Sequence, residues 1–255
     1  MYAEERQEAI AQLVATRRRV SVAALAQEFT VTTETVRRDL AALERLGLVR
    51  RVHGGAVPTN TRGKVEAALS ERGEINIVQK RRIAAAAVAL LPPPDSTILL
   101  DAGSSTAALV EQLPPDRPLR VLTHAVPLAG RLATLPHIEL HLLPGRVRPE
   151  TGAAVGAATV SAIGETYVDV AFVGTNGVTA ERGCTTPDPE EAAAKRAIVT
   201  HARQVVVLAD ASKVGEDSTA RFATCDQIDV LVTDADADSE ELALIAAHGV
   251  EVRSA

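Results

Sequence analysis

The stretch that most constrains the fold runs from residue 20 to residue 57, VSVAALAQEFTVTTETVRRDLAALERLGLVRRVHGGAV. It holds two runs of helical periodicity separated by a few residues, then two short β-prone runs around a Gly-Gly pair. Ser21 can cap the first run, because its hydroxyl can accept from a free amide of the first turn. Val20 before that cap and Leu25 after it have the spacing of a hydrophobic staple. This helix buries Leu25 and Phe29 and stops near Thr30-Val31. Thr32 offers the cap of a second, longer helix reaching about Leu46. Gly47 then supplies the left-handed residue that often closes a helix.

At about 100° per residue, Val36, Leu40 and Leu43 fall on one narrow face of the second helix. Glu34, Arg38 and Arg45 lie opposite, with Arg37 and Thr35 on the flanks. Such a helix packs on its neighbours and still enters a major groove, with Thr33, Thr35, Arg37 and Arg38 leading. Residues 48–53 read as a strand that Gly54-Gly55 turns back into Ala56-Val57, a two-stranded wing. Arg50, Arg51 and His53 on that hairpin can reach phosphates or a minor groove. Residues 4–18 precede this as a helix turning Ile10, Leu13 and Val14 inward. The pattern is a winged helix-turn-helix, with the helix-turn-helix at about 20–39 of a DNA-binding domain over 1–57. The run closely resembles the DNA-binding domain of the DeoR family of bacterial repressors, through its signature TxETVRRDLxxLExxGLVxRxHGGA.

Charge is divided accordingly. The chain carries a net −6, yet residues 1–57 hold nine Lys and Arg against seven Asp and Glu, leaving +2 on the head and −8 on the rest. An acidic body favours oriented approach to DNA, and so weakly basic a head needs pairing with a second head on one site. Aromatic residues at 2% exclude base stacking as the binding mode. No segment is apolar for long enough to span a bilayer, and the charged amphipathic N-terminus is not a signal peptide. Cys184 and Cys225 are too few for a disulfide framework or a metal site, so a reduced, cytoplasmic setting is expected, with no cofactor and no membrane partner.

Residues 58–73, polar and broken by Pro and Gly, read as a linker whose middle can hold a short helix. From residue 74 to 255 strands and helices alternate. Strands are expected at 97–100, 120–123, 139–143, 168–173, 205–209, 229–232 and 250–252. Helices are expected at 79–91, 107–113, 127–135, 157–163, 189–201 and 239–248. Alternation of this kind implies an α/β domain with a mainly parallel sheet covered on both faces.

In such a sheet, ligands gather beyond the carboxyl ends of the strands. Three loops fit. Asp101-Ala102-Gly103-Ser104-Ser105-Thr106 follows an apolar strand and opens a helix, where amides and hydroxyls can hold a phosphate. Asp210-Ala211-Ser212-Lys213 offers a carboxylate for sugar hydroxyls and an ammonium for the phosphate. Gly174-Thr175-Asn176-Gly177 adds an amide side chain at the same edge. Lys80 can also turn inward, although a solvated Lys80-Arg81-Arg82 face is the simpler reading.

Together these resemble the sensor domain of the same family, whose fold is similar to ribose-5-phosphate isomerase and which binds a phosphorylated sugar or a related metabolite. The matching residues are Lys80 to Ala84, Asp101 to Thr106, Gly174 to Gly177, Glu190 with Lys195, Asp210 to Lys213, and Phe222. The sequence departs from the family at Thr123-His124, where Asn usually follows the Thr; His124 reads equally as a phosphate donor or a packing histidine. Arg146 and Arg148 are further candidate phosphate contacts. The resemblance implies a homodimeric or homotetrameric repressor of a sugar operon, bound to double-stranded operator DNA and released or modulated by a phosphorylated sugar. Fructose 1-phosphate is the first candidate. Two other readings stand beside it, a sugar-phosphate isomerase using Asp101, Glu190, Asp210 and Lys213, and an architectural DNA binder with no effector.

Overall fold

The computed structural model describes residues 3–17, 20–45, 48–52, 54–58 and 75–255. The chain divides into two units, Met1–Val65 and Glu66–Ala255.

The first unit comprises α1 (Ala3–Arg17), β1 (Val20–Ser21), α2 (Val22–Glu28), α3 (Thr33–Arg45), β2 (Val49–Val52) and β3 (Gly55–Pro58). Both expected caps form. Ser21 Oγ accepts from Ala24 N at 3.0 Å, and Thr32 Oγ1 accepts from Thr35 N at 3.2 Å. Between the helices, Thr30 N donates to Gln27 O and Val31 N to Ala26 O, at 3.3 and 3.0 Å. These two bonds make a Schellman closure, which places the residue after the cap in the left-handed region. That residue is Thr30, at φ 54°, a β-branched residue in a conformation that costs an L-residue about 1–2 kcal/mol. Ile10, Val14, Leu25, Val36, Leu40, Leu43 and Val49 form the core, with Leu13 and Phe29 packed at its edge.

The wing has three strands where two were expected. Val20–Ser21 pairs antiparallel with β3, giving the order β1-β3-β2. A Cβ at Gly55 would collide with the Val20 carbonyl, so this close approach requires glycine. Gly47, the expected helix stop, lies outside the described residues, as do residues 59–73 of the expected linker, whose first residue, Pro58, ends β3.

The second unit is built on a sheet of seven parallel strands. In chain order its elements begin with α4 (Ile77–Val88), β4 (Thr97–Leu100), α5 (Ser104–Val110), β5 (Leu119–Thr123), α6 (Val126–Leu132) and β6 (Ile138–Leu142). The hairpin β7 (Arg146–Val147) and β8 (Ala154–Val155) follows, then α7 (Ala157–Gly164), β9 (Val168–Gly174), β10 (Gly177–Thr179) and β11 (Gly183–Thr186). The chain continues with α8 (Pro189–Thr200), β12 (Ala202–Leu208), β13 (Ala220–Ala223), β14 (Val230–Thr233), α9 (Ser239–Ala247) and β15 (Glu251–Ser254).

Side chains alternate across the sheet, so each strand feeds two cores. Ile98, Leu100, Phe172, Val206 and Val230 pack with Ile83, Leu109 and Leu128 of α4, α5 and α6 on one face. Leu99, Ala171, Val173, Val207 and Leu231 pack with Ile163, Ile198 and Ile245 of α7, α8 and α9 on the other. Burial on both faces explains why these strands read as near-continuous apolar runs. Two features were not expected from the sequence, the β7–β8 hairpin and a small antiparallel sheet, β10-β11-β13. No helix among the described residues is long and apolar enough to cross a membrane.

The topology places the site. From β4 the chain steps outward through β5 to β6, whereas β9, β12, β14 and β15 extend the sheet the other way. The order reverses between β4 and β9, and a crevice opens beyond their carboxyl ends at such a reversal.

Candidate DNA-reading face and effector cleft

On α3 the arginine side chains face solvent, Arg37 at 63% and Arg38 at 81% exposure. Glu34 holds them loosely, 3.9 Å from Arg37 and 3.5 Å from Arg38. Exposed helix pairs of this spacing are worth only about 0.3–0.5 kcal/mol, so a phosphate or guanine edge can displace Glu34. Thr33 is exposed. Thr35 is half-buried, and its hydroxyl lies 2.9 Å from that of Thr32, which ties it to the cap. Arg45 is exposed and donates to Ala41 O at 3.4 Å. Arg51 is engaged already: its Nε lies 2.7 Å from Glu44 Oε2 and its amide donates to Glu44 Oε1 at 2.9 Å. It therefore fastens the wing to α3. The side chain of Arg50 and all of His53 lie outside what the structure describes.

Behind the reading face sits a pair that sequence reasoning missed. Asp39 is 4% exposed on the apolar side of α3. Arg6 of α1 meets it through Nε at 2.7 Å and Nη2 at 3.3 Å, and Gln7 adds a bond of 3.0 Å. This cluster fixes α1 against α3. A carboxylate three residues after Val36 and four before Leu43, on the helix face that should be apolar, was the available signal.

In the second unit the three expected loops meet at the β4/β9 reversal. They line a small cleft of ≈ 70 Å³ that opens to solvent. Gly103, Ser104, Ser105, Asn176, Asp210, Lys213, Lys80 and Lys195 all contribute to its wall. Gly103 precedes α5 with no side-chain cap, leaving the first-turn amides to the cleft. Asp210 is buried, accepts from Asn76 Nδ2 and Ser212 N at 3.1 Å each, and so pins the loop that carries Lys213. Lys80 does turn inward. It is 6% exposed, lines the cleft, and donates to Ile75 O at 2.6 Å.

Five expected contacts stand elsewhere. Asp101 is fully buried behind the wall, where it accepts from Gly174 N at 2.8 Å, ion-pairs with Lys195 and lies 3.0 Å from His124 Nε2. Burial alone would raise its pKa, but Lys195 and His124 outweigh that and hold it below the ordinary carboxylate value. Asp101 is thus a support that orients Lys195. Thr106 is also fully buried and donates to Gly103 O at 2.9 Å, which fixes the loop. Glu190 points outward and pairs with Arg146, so neither lines the cleft; its neighbour Glu191 does. Arg148, offered above as a phosphate contact, is 7% exposed and pairs with Glu191 and, at 3.4 Å, with Asp188.

Comparison with known proteins decides the family. Residues 75–235 match the DeoR C-terminal sensor domain, and residues 6–62 match the DeoR-like helix-turn-helix domain. The chain belongs to the DeoR family.

Its DeoR-family relatives include the HTH-type transcriptional regulator GlpR of Haloferax volcanii, 35% identical over 99% of this chain and 98% of the relative. The HTH-type transcriptional repressor GlcR of Bacillus subtilis is 30% identical over 99% of this chain and 96% of its own length. The glycerol-3-phosphate regulon repressor of Escherichia coli K12 is 28% identical over 97% of each chain. Among solved structures, the full-length sorbitol operon regulator SorC of Klebsiella pneumoniae matches with a TM-score of 0.42 at 16% identity, covering 94% of this chain and 97% of that one. Ribose 5-phosphate isomerase A of Neisseria gonorrhoeae matches with a TM-score of 0.38 at 16% identity, covering 56% and 54%. Likeness at that level adds nothing to the family match.

As a DeoR-family member the protein is a DNA-binding transcription regulator and not an enzyme. The departure at His124 also resolves. The ring is fully buried, with Nδ1 2.7 Å from Ala154 O and Nε2 beside Asp101, so His124 braces Asp101 and does not line the cleft.

Proposed function

We propose that this regulator is a repressor of a sugar-metabolism operon, controlled by a phosphorylated sugar bound in the β4/β9 cleft. The observation that carries the reading is the lining of that cleft. Ser104 and Ser105, at the uncapped start of α5, share that lining with Lys80 and Lys213. Hydroxyls, amides and ammonium groups in that density suit a phosphate ester. Fructose 1-phosphate is the first candidate, and the name of the Escherichia coli relative makes glycerol 3-phosphate the second.

The head reads operator DNA through Thr33, Arg37 and Arg38, with Arg45, Arg50 and His53 on the backbone and Arg51 holding the wing to α3. Two heads of a homodimer or homotetramer engage one operator, since a single head of charge +2 binds weakly. The effector acts only through unequal affinity for the DNA-bound and DNA-free arrangements. Absence of a long apolar helix among the described residues and the DNA partner both fit a cytoplasmic protein.

The test is a thermal-shift panel of sugar phosphates on the parent, Lys213→Ala and Ser105→Ala proteins, paired with operator binding by fluorescence anisotropy. A phosphosugar that stabilises the parent alone and changes operator affinity supports the reading. If millimolar phosphosugars neither stabilise the protein nor alter DNA binding, the architectural reading replaces it.

A further inference from the structure

Glu191 and Lys195 stand one turn apart on α8. Both line the cleft, yet each side chain is only 2% exposed. Each is met by an opposite charge from behind. Arg148 reaches Glu191 from beside the β7–β8 hairpin, and Asp101 holds Lys195. The Arg148 guanidinium is a fixed cation, and the Glu191 carboxyl group sits against it as its counter-charge. The inner end of the cleft thus presents one compensated anion and one compensated cation, 3.8 Å apart.

A neutral hydroxyl suits that end, because it can donate to Glu191 and accept from Lys195. A carboxylate does not. It has no hydrogen to donate to Glu191, so its oxygens would face the Glu191 oxygens directly, while the Lys195 ammonium is already engaged by Asp101.

We infer that Glu191, oriented by Arg148, is a specificity-determining residue that admits phosphate esters ending in a neutral hydroxyl and rejects those ending in a carboxylate. This rests on the phosphosugar reading of the cleft and adds which class of phosphorylated metabolite it accepts. Arg148 is a positioning residue. Without it, the Glu191 carboxylate turns to Lys195 and is no longer presented to ligand.

The experiment is isothermal titration of the full chain with matched pairs that differ only at the terminal carbon. Glycerol 3-phosphate is set against 3-phosphoglycerate, and glucitol 6-phosphate against 6-phosphogluconate, with fructose 1-phosphate alongside. The alcohol of at least one pair is expected to bind at least ~10-fold tighter than its acid, a gap of about 1.4 kcal/mol. Glu191→Gln should bring the pair to within about threefold by improving the acid. Arg148→Met should shrink the ratio and Arg148→Lys should retain it, a contrast that general loss of stability does not produce. The parent comparison needs no variant, so misfolding of Glu191→Gln leaves the test intact. Equal binding of acid and alcohol overturns the inference, as does a preference that survives Glu191→Gln, or a cleft that takes fructose 1-phosphate but neither alcohol. If no phosphorylated compound binds, the phosphosugar reading itself falls, a result distinct from these.

Discussion

Replacing Asp39 with Ala isolates the interaction that sets the reading helix. The substitution removes three hydrogen bonds, at 2.7, 3.3 and 3.0 Å, and leaves the guanidinium of Arg6 without its counter-charge. Breaking a fully buried ion pair by deleting one partner costs about 3–5 kcal/mol. Here the Arg6 side chain is 12% exposed and the Asp39 side chain 5%, so some water reaches the orphaned cation. About 2–3 kcal/mol is therefore expected. Hydrogen exchange reads this locally, and amides of α1 and α3 should lose roughly 30- to 150-fold of their protection. The double variant Arg6→Met with Asp39→Leu removes both charges and should recover most of the loss. Unchanged protection in Asp39→Ala would refute the reasoning, and so would a double variant as loose as the single one.

Thr30→Gly relieves a left-handed β-branched residue, and after the entropy glycine adds to the unfolded chain it should raise head stability by about 0.5–1 kcal/mol, read by chemical denaturation. Arg38→Ala should cost about 1–3 kcal/mol of operator affinity and relax sequence choice, checked by anisotropy on operator and scrambled DNA. Asp101 titrates lower folded than unfolded, so its contribution persists above the ordinary value of 3.8 and fades as pH falls through the folded value. Lys195→Met removes the main opposing charge and should destabilise by about 3 kcal/mol at pH 7, with the gap to the parent narrowing towards pH 4 in thermal melts. Burial and the neighbouring Cys225 push the Cys184 thiol up to about 12, so a thiol reagent at pH 8 should label it only in denaturant.

Much of this was legible because local chemistry and periodicity agreed. Ser21, Thr32 and the Val36/Leu40/Leu43 stripe each point to the same two helices, and apolar runs between polar loops mark the inner strands of the large sheet, whereas the edge strands β6 and β15 carry alternating polar residues. The rest depends on partners far away in sequence. Glu190 and Glu191 differ by 100° around α8, and nothing in the tetrapeptide around them says which one faces the cleft. Arg148 looks like a phosphate ligand until Glu191, 43 residues on, is seen to occupy it. Strands β7, β8 and β10 have two or three residues each, too short to show an alternation. Asp101 was placed at the right loop and given the wrong task, because burial at a strand end cannot be read from a strand-to-helix turn.

The strand order also has a consequence in time. Every pairing of the head closes within residues 20–58, so its sheet can form as soon as that stretch has left the ribosome. The centre of the large sheet cannot, since Ile98 must wait for Val170, 72 residues later. At translation rates of roughly 5–20 residues per second, that gap lasts roughly 4–14 s. For that interval a nascent chain carries a finished reader and half a cleft, with the apolar edge of β4 uncovered. The edge of β4 that ends up paired with β9, next to the ligand site, is the edge most in need of protection during synthesis.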